Sequence, residues 1–212
     1  MIFCRLDLYF FPILDIYTPI DRTILGYKEL FSPIRRFSMK KAAVIHDLSG
    51  FGKCSLTAAI PVLSALGVQC CPVATAVLTG QTGYPCYHCT DLTAMLPDYI
   101  DAWGKNNAHF DAIYSGFLTG AKQISQVLDF IRYFREEHTL LLVDPVMGDD
   151  GNAYPFFTPG LLNGMKELTL EADVFTPNLT EACLLADIPE DALLHCRTNT
   201  DLLKLAEDCL LY

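Results

Sequence analysis

The chain has 212 residues, of which 51% are hydrophobic and 19% are charged, a composition that buries a core and excludes an intrinsically disordered protein. Its 25 acidic and 15 basic side chains give a formal net charge of −10, so the chain lacks the basic surface that nucleic-acid binding requires, and we expect no nucleic-acid partner. This length accommodates one sizeable α/β domain or two small ones.

Residues 1–38 differ in character from the rest of the chain. They are aromatic and apolar, but aspartates and a proline interrupt them too often for a transmembrane helix, and they lack the basic-then-apolar layout of a secretory signal. At Met39 the sequence turns directly into a lysine pair and an apolar strand, as cytosolic α/β domains commonly begin. We therefore expect an N-terminal extension outside the fold at 1–38, a domain over 39–212, no membrane association and a cytoplasmic location.

From Ala42 onward, short apolar runs alternate with amphipathic segments, which predicts strands alternating with helices. The predicted strands are 42–46, 68–78, 110–116, 139–146 and 172–178. The predicted helices are 55–66, 90–105, 120–138, 157–169, 178–186 and a last one within 199–212. Thr90 or Asp91 is expected to cap the second helix. Strands separated by helices of this length predict a parallel sheet covered on both faces.

Polar or glycine-rich clusters follow each predicted strand. They are Asp47, Thr79 to Gly83, Gly116, Asp144 to Gly151, and Thr176 to Glu181. Ligands of parallel sheets bind beyond the carboxyl ends of the strands, so these clusters predict one ligand site at that edge. The alternative is that they are ordinary loop residues, because loops of α/β proteins generally collect such side chains.

The nine cysteines allow a competing interpretation as a zinc or redox module. Cys70 and Cys71 are followed by Cys86, His88 and Cys89. A zinc site normally joins two well-spaced pairs of ligands, and adjacent cysteines on a strand point to opposite faces. Ordinary thiols in a reducing cytosol are therefore the preferred interpretation.

Residues 44–59, VIHDLSGFGKCSLTAA, have the strand–glycine–helix layout of a phosphate loop. A Walker loop needs a glycine five positions before its Gly-Lys pair and a serine or threonine directly after the lysine. Here Asp47 and Cys54 occupy those positions around Gly52 and Lys53, so the pattern fails twice. An acid at a strand end suits a hydroxyl or a ring nitrogen, which favours the phosphate acceptor over the nucleotide at this corner.

Four stretches of the sequence together resemble the pyridoxal kinases of the ribokinase-like superfamily. They are HDLSGFGKCSLTAAIPVLSALGVQCCPVATAVLTGQTGY, YSGFL, VDPVMGDDG and TPNLTEA, in this order along the chain. The resemblance implies a three-layer α/β sandwich with a mostly parallel sheet flanked by helices, incomplete at the C-terminus. It also implies ATP-dependent phosphorylation of the 5'-hydroxymethyl group of pyridoxal, pyridoxamine or pyridoxine. The hydroxymethylpyrimidine and phosphomethylpyrimidine kinases share the Asp-x-Ser-Gly skeleton of the first stretch and are the alternative.

On the substrate side, the resemblance assigns four positions. Asp47 falls where pyridoxal kinases often carry a serine that touches the pyridine ring, which is a departure from the family pattern. Thr82 and Gly83 match the second substrate-contacting loop, and Phe117 matches an aromatic position of the pocket.

On the nucleotide side, the resemblance implies Mg²⁺ with ATP as co-substrate. Asp144 and Glu181 match acids around the magnesium and the triphosphate, and Asp149 and Asn178 accompany them. Oxygen ligands suit a hard cation that keeps several waters. The structural alternatives are that Asp144 caps the following turn and that Glu181 favours the first turn of its helix. The resemblance also implies a homodimer for the full-length protein.

The superfamily's catalytic Gly-Thr-Gly-Asp motif is not found in the sequence, and no glycine follows Gly164. Its glycines form an anion hole and its aspartate acts as the base, so the catalytic aspartate is expected beyond Tyr212. We therefore expect this chain to be inactive alone. A non-catalytic binding fragment is the interpretation from a different functional class.

Overall fold

The computed structural model describes residues 39–188 together with 198, 200, 201, 204 and 205. Met39–Tyr212 forms one compact unit. The expected extension at 1–38 and most of the predicted helix within 199–212 lie outside the described residues.

Eight strands and five α-helices follow one another in the described part of the chain. The strands are β1 (Lys41–Ser49), β2 (Gln69–Leu78), β3 (Cys89–Asp91), β4 (Ala112–Ser115), β5 (Leu140–Val143), β6 (Gly148–Asp149), β7 (Asn152–Ala153) and β8 (Val174–Phe175). The helices are α1 (Ser55–Ala65), α2 (Leu96–Lys105), α3 (Ala121–Phe134), α4 (Pro159–Leu170) and α5 (Leu179–Leu185). A 3₁₀ turn, Thr93–Met95, precedes α2.

The main sheet has six strands in the order β3-β2-β1-β4-β5-β8. All neighbouring pairs are parallel except β2 with β3, which is antiparallel. In β1, Ile45 lies between Val73 of β2 and Ser115 of β4, so β1 is at the centre of the sheet. The predicted mostly parallel sheet is confirmed.

Two apolar clusters lie on opposite faces of this sheet. Ala43 and Ile45 of β1 belong to one cluster and Ala42 and Val44 to the other, because successive side chains of a strand point to opposite faces. Helices α2, α3 and α4 cover the first face, and α1 covers the second through Leu56. The sheet between two helical layers is the three-layer sandwich that the sequence predicts.

Helix α3 buries the apolar stripe that the sequence pattern predicts for it. The buried side chains recur at helical spacing and include every member of the predicted apolar stripe: Ile124, Val127, Leu128, Ile131 and Phe134. Phe130 and Phe134 contact each other with ring centroids 4.6 Å apart and planes tilted by 46°, and Trp103 of α2 packs edge-on against both. This aromatic contact joins two helices over one face of the sheet.

The helix predicted at 90–105 begins later than expected, at Leu96. Thr90 and Asp91, expected as its cap, instead lie in β3 and pair with β2. A helix running through Pro97 from Thr90 would lose the proline's N–H bond and clash with the preceding turn, whereas proline is tolerated in a first turn. Asp91 accepts a hydrogen bond from the backbone N–H of Thr93 at 2.8 Å, so its side chain binds the first residue of the 3₁₀ turn instead.

Strands β6 and β7 form a hairpin that the sequence analysis did not predict. Asp149 pairs with Asn152, and the two residues between them, Asp150 and Gly151, have φ angles of +49° and +76°. Two consecutive positive φ angles are typical of a type I′ turn, for which Asp-Gly is a preferred sequence. The hairpin extends from the end of β5, where the ligand site is expected.

No helix in the part of the chain that the structure describes is both long and apolar enough to cross a bilayer.

Helix α4 allows a matched test of the core. Leu168 is fully buried in the main apolar cluster, whereas Leu170, two residues further, is 87% exposed. We expect Leu168→Ala to lower the free energy of unfolding by about 2–5 kcal/mol, because the cavity remains unfilled. Leu170→Ala should change it by about 0.5 kcal/mol or less. Urea denaturation of both variants measures the difference, and equal losses would contradict the packing described.

Candidate functional site

The loops that follow β1 and β2 continue the pairing of these strands beyond the sheet. The backbone N–H groups of Gly50 and Phe51 donate to Leu78 O and Thr79 O at 2.9 and 3.1 Å, and the N–H of Gln81 donates to Phe51 O at 2.9 Å. Because the two strands are parallel, both loops leave the sheet at the same edge. This contact brings the first and second predicted clusters together.

Glycine is required within this loop contact at Gly52. Its φ of +98° is a conformation that side chains disfavour, and a Cβ there would lie 2.8 Å from the side chain of Gln81. Gly52, in the segment 44–59, therefore allows the two loops to pack against each other.

Asp47 lies at an irregularity in β1, where the register with β2 shifts between His46 and Leu48. The side chain is almost fully buried, its Oδ2 accepts a hydrogen bond from Ser49 Oγ at 2.8 Å, and its Oδ1 lies 3.0 Å from His46 Nδ1. Burial acts to raise the pKa of Asp47, but the contacts with His46, Ser55 and Ser49 outweigh burial and lower it. The carboxyl group is therefore ionised at neutral pH.

A cavity of about 240 Å³ opens at this edge of the sheet. It is lined by His46, Asp47, Ser49, Cys54, Ser55, Leu78, Gln81, Thr82, Phe117, Val146, Tyr154 and Phe156. Three of the four predicted substrate residues, Asp47, Thr82 and Phe117, are thus brought together. Gly83 does not line the cavity and is exposed, with no atom close to the position of a Cβ.

His46 supports the cavity from the inner side. Its Nδ1 accepts the backbone N–H groups of Asp47 and Phe117 at 3.0 and 3.2 Å, so the ring joins the end of β1 to the loop after β4. A Cβ at Gly116 would lie 2.2 Å from the ring atoms Cδ2 and Nε2. The predicted cluster at Gly116 is explained by this contact, because any larger residue would displace the histidine.

Asp144 follows β5 at the same edge. Its backbone N–H donates to Ser115 O at 2.8 Å, and its side chain accepts a hydrogen bond from the hydroxyl of Tyr114. Burial raises the pKa of Asp144, and the nearby His46 and the Tyr114 hydroxyl only partly oppose this effect. The same burial and the charge of Asp144 raise the pKa of Tyr114 to about 12. Asp144 is therefore a partly buried acid whose ionisation is disfavoured in spite of the nearby His46.

Glu181 and Asn178 form a capping box at the start of α5. Asn178 Oδ1 accepts the N–H of Glu181 at 3.0 Å, and Glu181 Oε2 accepts the N–H of Asn178 at 2.9 Å. The other oxygen of Glu181 accepts the N–H of Met147 at 3.2 Å, and Asn178 Nδ2 donates to Gly148 O at 2.8 Å. Asn178 and Glu181 thus join the start of α5 to the segment that leads into the β6–β7 hairpin. The capping role of Glu181 agrees with the alternative that it favours the first turn of its helix.

In spite of these hydrogen bonds, the ionised form of Glu181 is disfavoured in the folded protein. Burial raises its pKa to about 7, the charge of Asp144 adds to this effect, and hydrogen bonds from backbone N–H groups oppose it. The influence of Asp144 shows that the two carboxyl groups lie within electrostatic range of each other. A cation placed between them would relieve this repulsion.

Tyr154 connects the acids to the cavity. Burial and then the charges of Asp149, Glu181, Asp144 and Asp150 raise its pKa, so these four carboxylates lie within electrostatic range of the phenol. Tyr154 also lines the cavity, as does Val146, two residues after Asp144. The acids predicted for the nucleotide side do not line the cavity but lie within electrostatic range of its wall. Asp149 itself is exposed at the hairpin, where its Oδ1 accepts the N–H of Asp150.

Sequence reasoning did not single out His46, Tyr114 or Tyr154. His46 and Tyr114 lie inside predicted apolar strands, where such residues are usually core, and only their positions next to Asp47 and before Gly116 could have indicated a role. Tyr154 follows the unpredicted hairpin.

The cysteine interpretation has no support from the described residues. They contain no group of three or more His, Cys, Asp or Glu side chains that could hold a metal ion. Burial raises the pKa of Cys70 to about 11 and also raises that of Cys71, so both are protonated thiols at neutral pH.

The contact between His46 and Gly116 generates a matched prediction. Gly116→Ala should lower the free energy of unfolding by about 1–3 kcal/mol and shift the NMR signals of the His46 ring, because the new methyl group needs the ring's space. Gly83→Ala is the control, since nothing lies within 4 Å of its added Cβ. Similar unfolding midpoints for the two variants would contradict the close contact.

The raised pKa of Glu181 predicts a pH effect on stability. A carboxyl group whose pKa rises from 4.5 to about 7 on folding stabilises the fold below pH 4.5, and this contribution is lost as pH rises through 7. The free energy of unfolding should fall by roughly 3 kcal/mol over this window. Asp144 acts in the same direction.

Urea denaturation between pH 4.5 and 8 measures this slope. It should flatten in Glu181→Gln and persist in Glu137→Gln, whose side chain is exposed. A stability that rises over this window in the unmodified chain would show that Glu181 is not the strained acid described.

Known proteins resemble this chain in sequence over much of its length. The pyridoxine/pyridoxal/pyridoxamine kinase of Bordetella avium is 34% identical over 143 residues, which cover 64% of this chain and 47% of that protein. The chain therefore spans about half the length of this curated relative.

Solved structures agree with this result. A Bacteroides thetaiotaomicron protein, assigned as a phosphomethylpyrimidine kinase and crystallised with pyridoxal, matches with a TM-score of 0.72 and 44% identity, over 80% of this chain and 60% of that one. The pyridoxal kinase from Lactobacillus plantarum matches with a TM-score of 0.67 and 30% identity, over 79% and 60% of the two chains. The family model described as phosphomethylpyrimidine kinase matches residues 52–210, and the chain therefore belongs to this kinase family.

Proposed function

We propose that this chain is part of an ATP-dependent kinase that phosphorylates the 5'-hydroxymethyl group of a vitamin B6 vitamer. The observation that supports the proposal is the cavity that Asp47, Thr82 and Phe117 line together. Tyr154 lines the same cavity, and its phenol lies within electrostatic range of Asp144 and Glu181. In phosphoryl transfer, the protein mainly aligns the alcohol with the triphosphate and balances their charge. A cavity for the alcohol with acids nearby to hold a metal ion suits this role.

On the acceptor side, the cavity fits a small aromatic ring. Phe117 and Phe156 form an edge-to-face pair with ring centroids 5.4 Å apart, and together with Val146 they provide an apolar wall. Asp47 and Thr82 supply the polar groups that would fix the ring's orientation. Gly83, outside the cavity lining, would contribute at most through its backbone.

On the donor side, Asp144, Asp149, Asn178 and Glu181 would hold Mg²⁺ and the triphosphate. The mutual repulsion of Asp144 and Glu181 fits a cation, and their few unused oxygen lone pairs fit a metal that keeps several waters. When bound, magnesium supplies charge neutralisation at the phosphates. Asn178 and Glu181 would act by holding the hairpin and the loop after β5 in place.

The deprotonation step has no assigned residue in this sequence. We propose that the chain alone binds the vitamer without transferring phosphate, because the sequence contains no Gly-Thr-Gly-Asp segment to provide a base and an anion hole. The homodimer is a further part of the proposal for the full-length protein, and sedimentation equilibrium would measure it.

The relatives support the vitamer as substrate. The Bordetella protein is named for three B6 vitamers, and the Bacteroides structure contains pyridoxal. Hydroxymethylpyrimidine is the second candidate, favoured by the description of the family model and by the Asp-x-Ser-Gly skeleton at Asp47. A non-catalytic binding fragment would keep the cavity alone.

The proposal is tested with the full-length gene product. It should convert pyridoxal, pyridoxamine or pyridoxine to the phosphate faster than hydroxymethylpyrimidine, with ATP and Mg²⁺. Asp144→Asn should lower kcat/KM by about 10- to 100-fold, since it removes one charge facing the metal. Asp98→Asn, an exposed acid on α2, is the control. Equal rates of the two variants, or turnover of the pyrimidine alone, would contradict the proposal.

A further inference from the structure

Phe117, which forms part of the apolar wall of the cavity, belongs to a segment without regular secondary structure. Residues 116–119 connect β4 to α3 and contain neither helix nor strand. The N–H of Phe117 donates to His46 Nδ1 at 3.2 Å, and its carbonyl oxygen accepts a hydrogen bond from Thr75 Oγ1 at 2.8 Å. Side chains of β1 and β2 therefore bind both backbone polar groups of Phe117, which have no partner in the pairing of β4.

Thr75 lies where β2 departs from regular pairing. It stands between the pairs His46–Ala74 and Leu48–Val77, where β2 contains one residue more than β1. An extra residue of this kind bends a strand and changes the direction of its side chains. The hydroxyl of Thr75 is fully buried here, where a hydrogen bond has to replace its contact with water. The irregularity in β2 therefore accounts for the hydroxyl that binds the segment 116–119.

Gln123 binds the other end of this segment from the buried face of α3. It is only 1% exposed, and its Oε1 accepts the backbone N–H of Thr119 at 2.8 Å. Its Nε2 donates to Thr75 O at 2.9 Å and to Thr93 Oγ1 at 3.1 Å. Both the nitrogen and the oxygen of the amide thus have partners, as a buried amide requires. Gln123 therefore joins the segment 116–119 to the same residue of β2 that binds Phe117.

A second buried threonine makes the same kind of bond far from the cavity. Thr139 is 4% exposed, and its Oγ1 donates to Phe110 O at 2.9 Å. These two residues precede β5 and β4, so their contact lies at the opposite edge of the parallel strands, and neither lines the cavity. The bond of Thr75 differs in its acceptor, because Phe117 does line the cavity. The two threonines allow a role in the site to be separated from a role in the fold.

We propose that Thr75 and Gln123 are positioning residues for the acceptor, which hold Phe117 where its ring packs against a bound acceptor ring. Neither residue lines the cavity, so both act through the segment 116–119. A wall that is fixed before binding reduces the conformational entropy that binding removes, and this raises affinity. The inference rests on the proposed function, because it concerns the acceptor in the same cavity.

Calorimetric titration of the full-length gene product with pyridoxine, and separately with MgADP, tests the inference without requiring turnover. Thr75→Val removes the hydroxyl and keeps the shape of the side chain. It should raise the Kd for pyridoxine by about 3- to 10-fold, the range that corresponds to one hydrogen bond. The Kd for MgADP should change less than about twofold, because the acids proposed for the nucleotide side do not contact this segment. Thr75→Ser keeps the hydroxyl and should restore the affinity for pyridoxine.

Two matched controls accompany these variants. Thr139→Val loses an equivalent buried hydrogen bond and should lower the melting temperature while leaving the Kd for pyridoxine unchanged. Gln123→Met should weaken pyridoxine binding as Thr75→Val does, and it keeps the test decisive if Thr75→Val does not fold. Gln126→Met, on the same helix, should not weaken it, since Gln126 Oε1 has no hydrogen-bond partner among the described residues. Thermal unfolding checks that each variant is folded.

Several outcomes overturn the inference, and they are distinct from failure of the proposed function. If Thr75→Val and Thr139→Val raise the Kd for pyridoxine equally, or if Thr75→Val weakens MgADP as much as pyridoxine, Thr75 only stabilises the fold. Unchanged pyridoxine binding in both Thr75→Val and Gln123→Met also contradicts the inference, while the vitamer proposal stands. If the unmodified protein does not bind pyridoxine, the proposed function fails and the inference fails with it.

Discussion

The parallel pairing of β1 with β2 on one side and β4 on the other is the constraint on which the described structure depends. Each strand of this group must run in the same direction, so each helix returns the chain to the opposite edge before the next strand begins. The loops after β1, β2, β4 and β5 therefore leave from one edge, however far apart they are in sequence. The crevice is a consequence of this topology, and its chemistry depends only on which side chains the loops carry.

The side chains that the loops carry are costly to the fold. Asp47, Asp144 and Glu181 are acids withdrawn from water, and the last two oppose each other. The fold tolerates them through donors that are built into it: the serines near Asp47, the Tyr114 hydroxyl and the backbone N–H groups at α5. These buried acids lower the free energy of unfolding and form a region that favours the binding of positive charge, an arrangement that is common at functional sites.

Sequence patterns predicted the elements wherever burial alone decides the conformation. The apolar run before Asp47 and the stripe of α3 leave no alternative to a central strand and a packed helix. The predicted start of α2 is wrong because the spacing of apolar residues carries no information on Pro97, which is tolerated only in the first turn of a helix. The β6–β7 hairpin is too short for a periodic pattern, and Asp150-Gly151 was its one signal. The proximity of Asp47 to Phe117 arises from strand pairing over about seventy residues, which local patterns do not encode. The predicted parallel sheet and the family resemblance indicated it.

The register shift between β1 and β2 divides the regular part of the sheet from the part that lines the cavity. Ahead of it the strand alternates regularly between the two faces, and beyond it Asp47 is turned toward the ligand side next to His46. Between the pairs His46–Ala74 and Leu48–Val77, β1 advances by two residues and β2 by three, so the extra residue belongs to β2. Loss of one residue between Ala74 and Val77 would restore regular pairing and shift the loop that carries Thr82, while leaving the apolar contacts of Ala42 to Ile45 untouched. A single deletion in β2 can therefore change the shape of the cavity without changing the core on which the architecture depends.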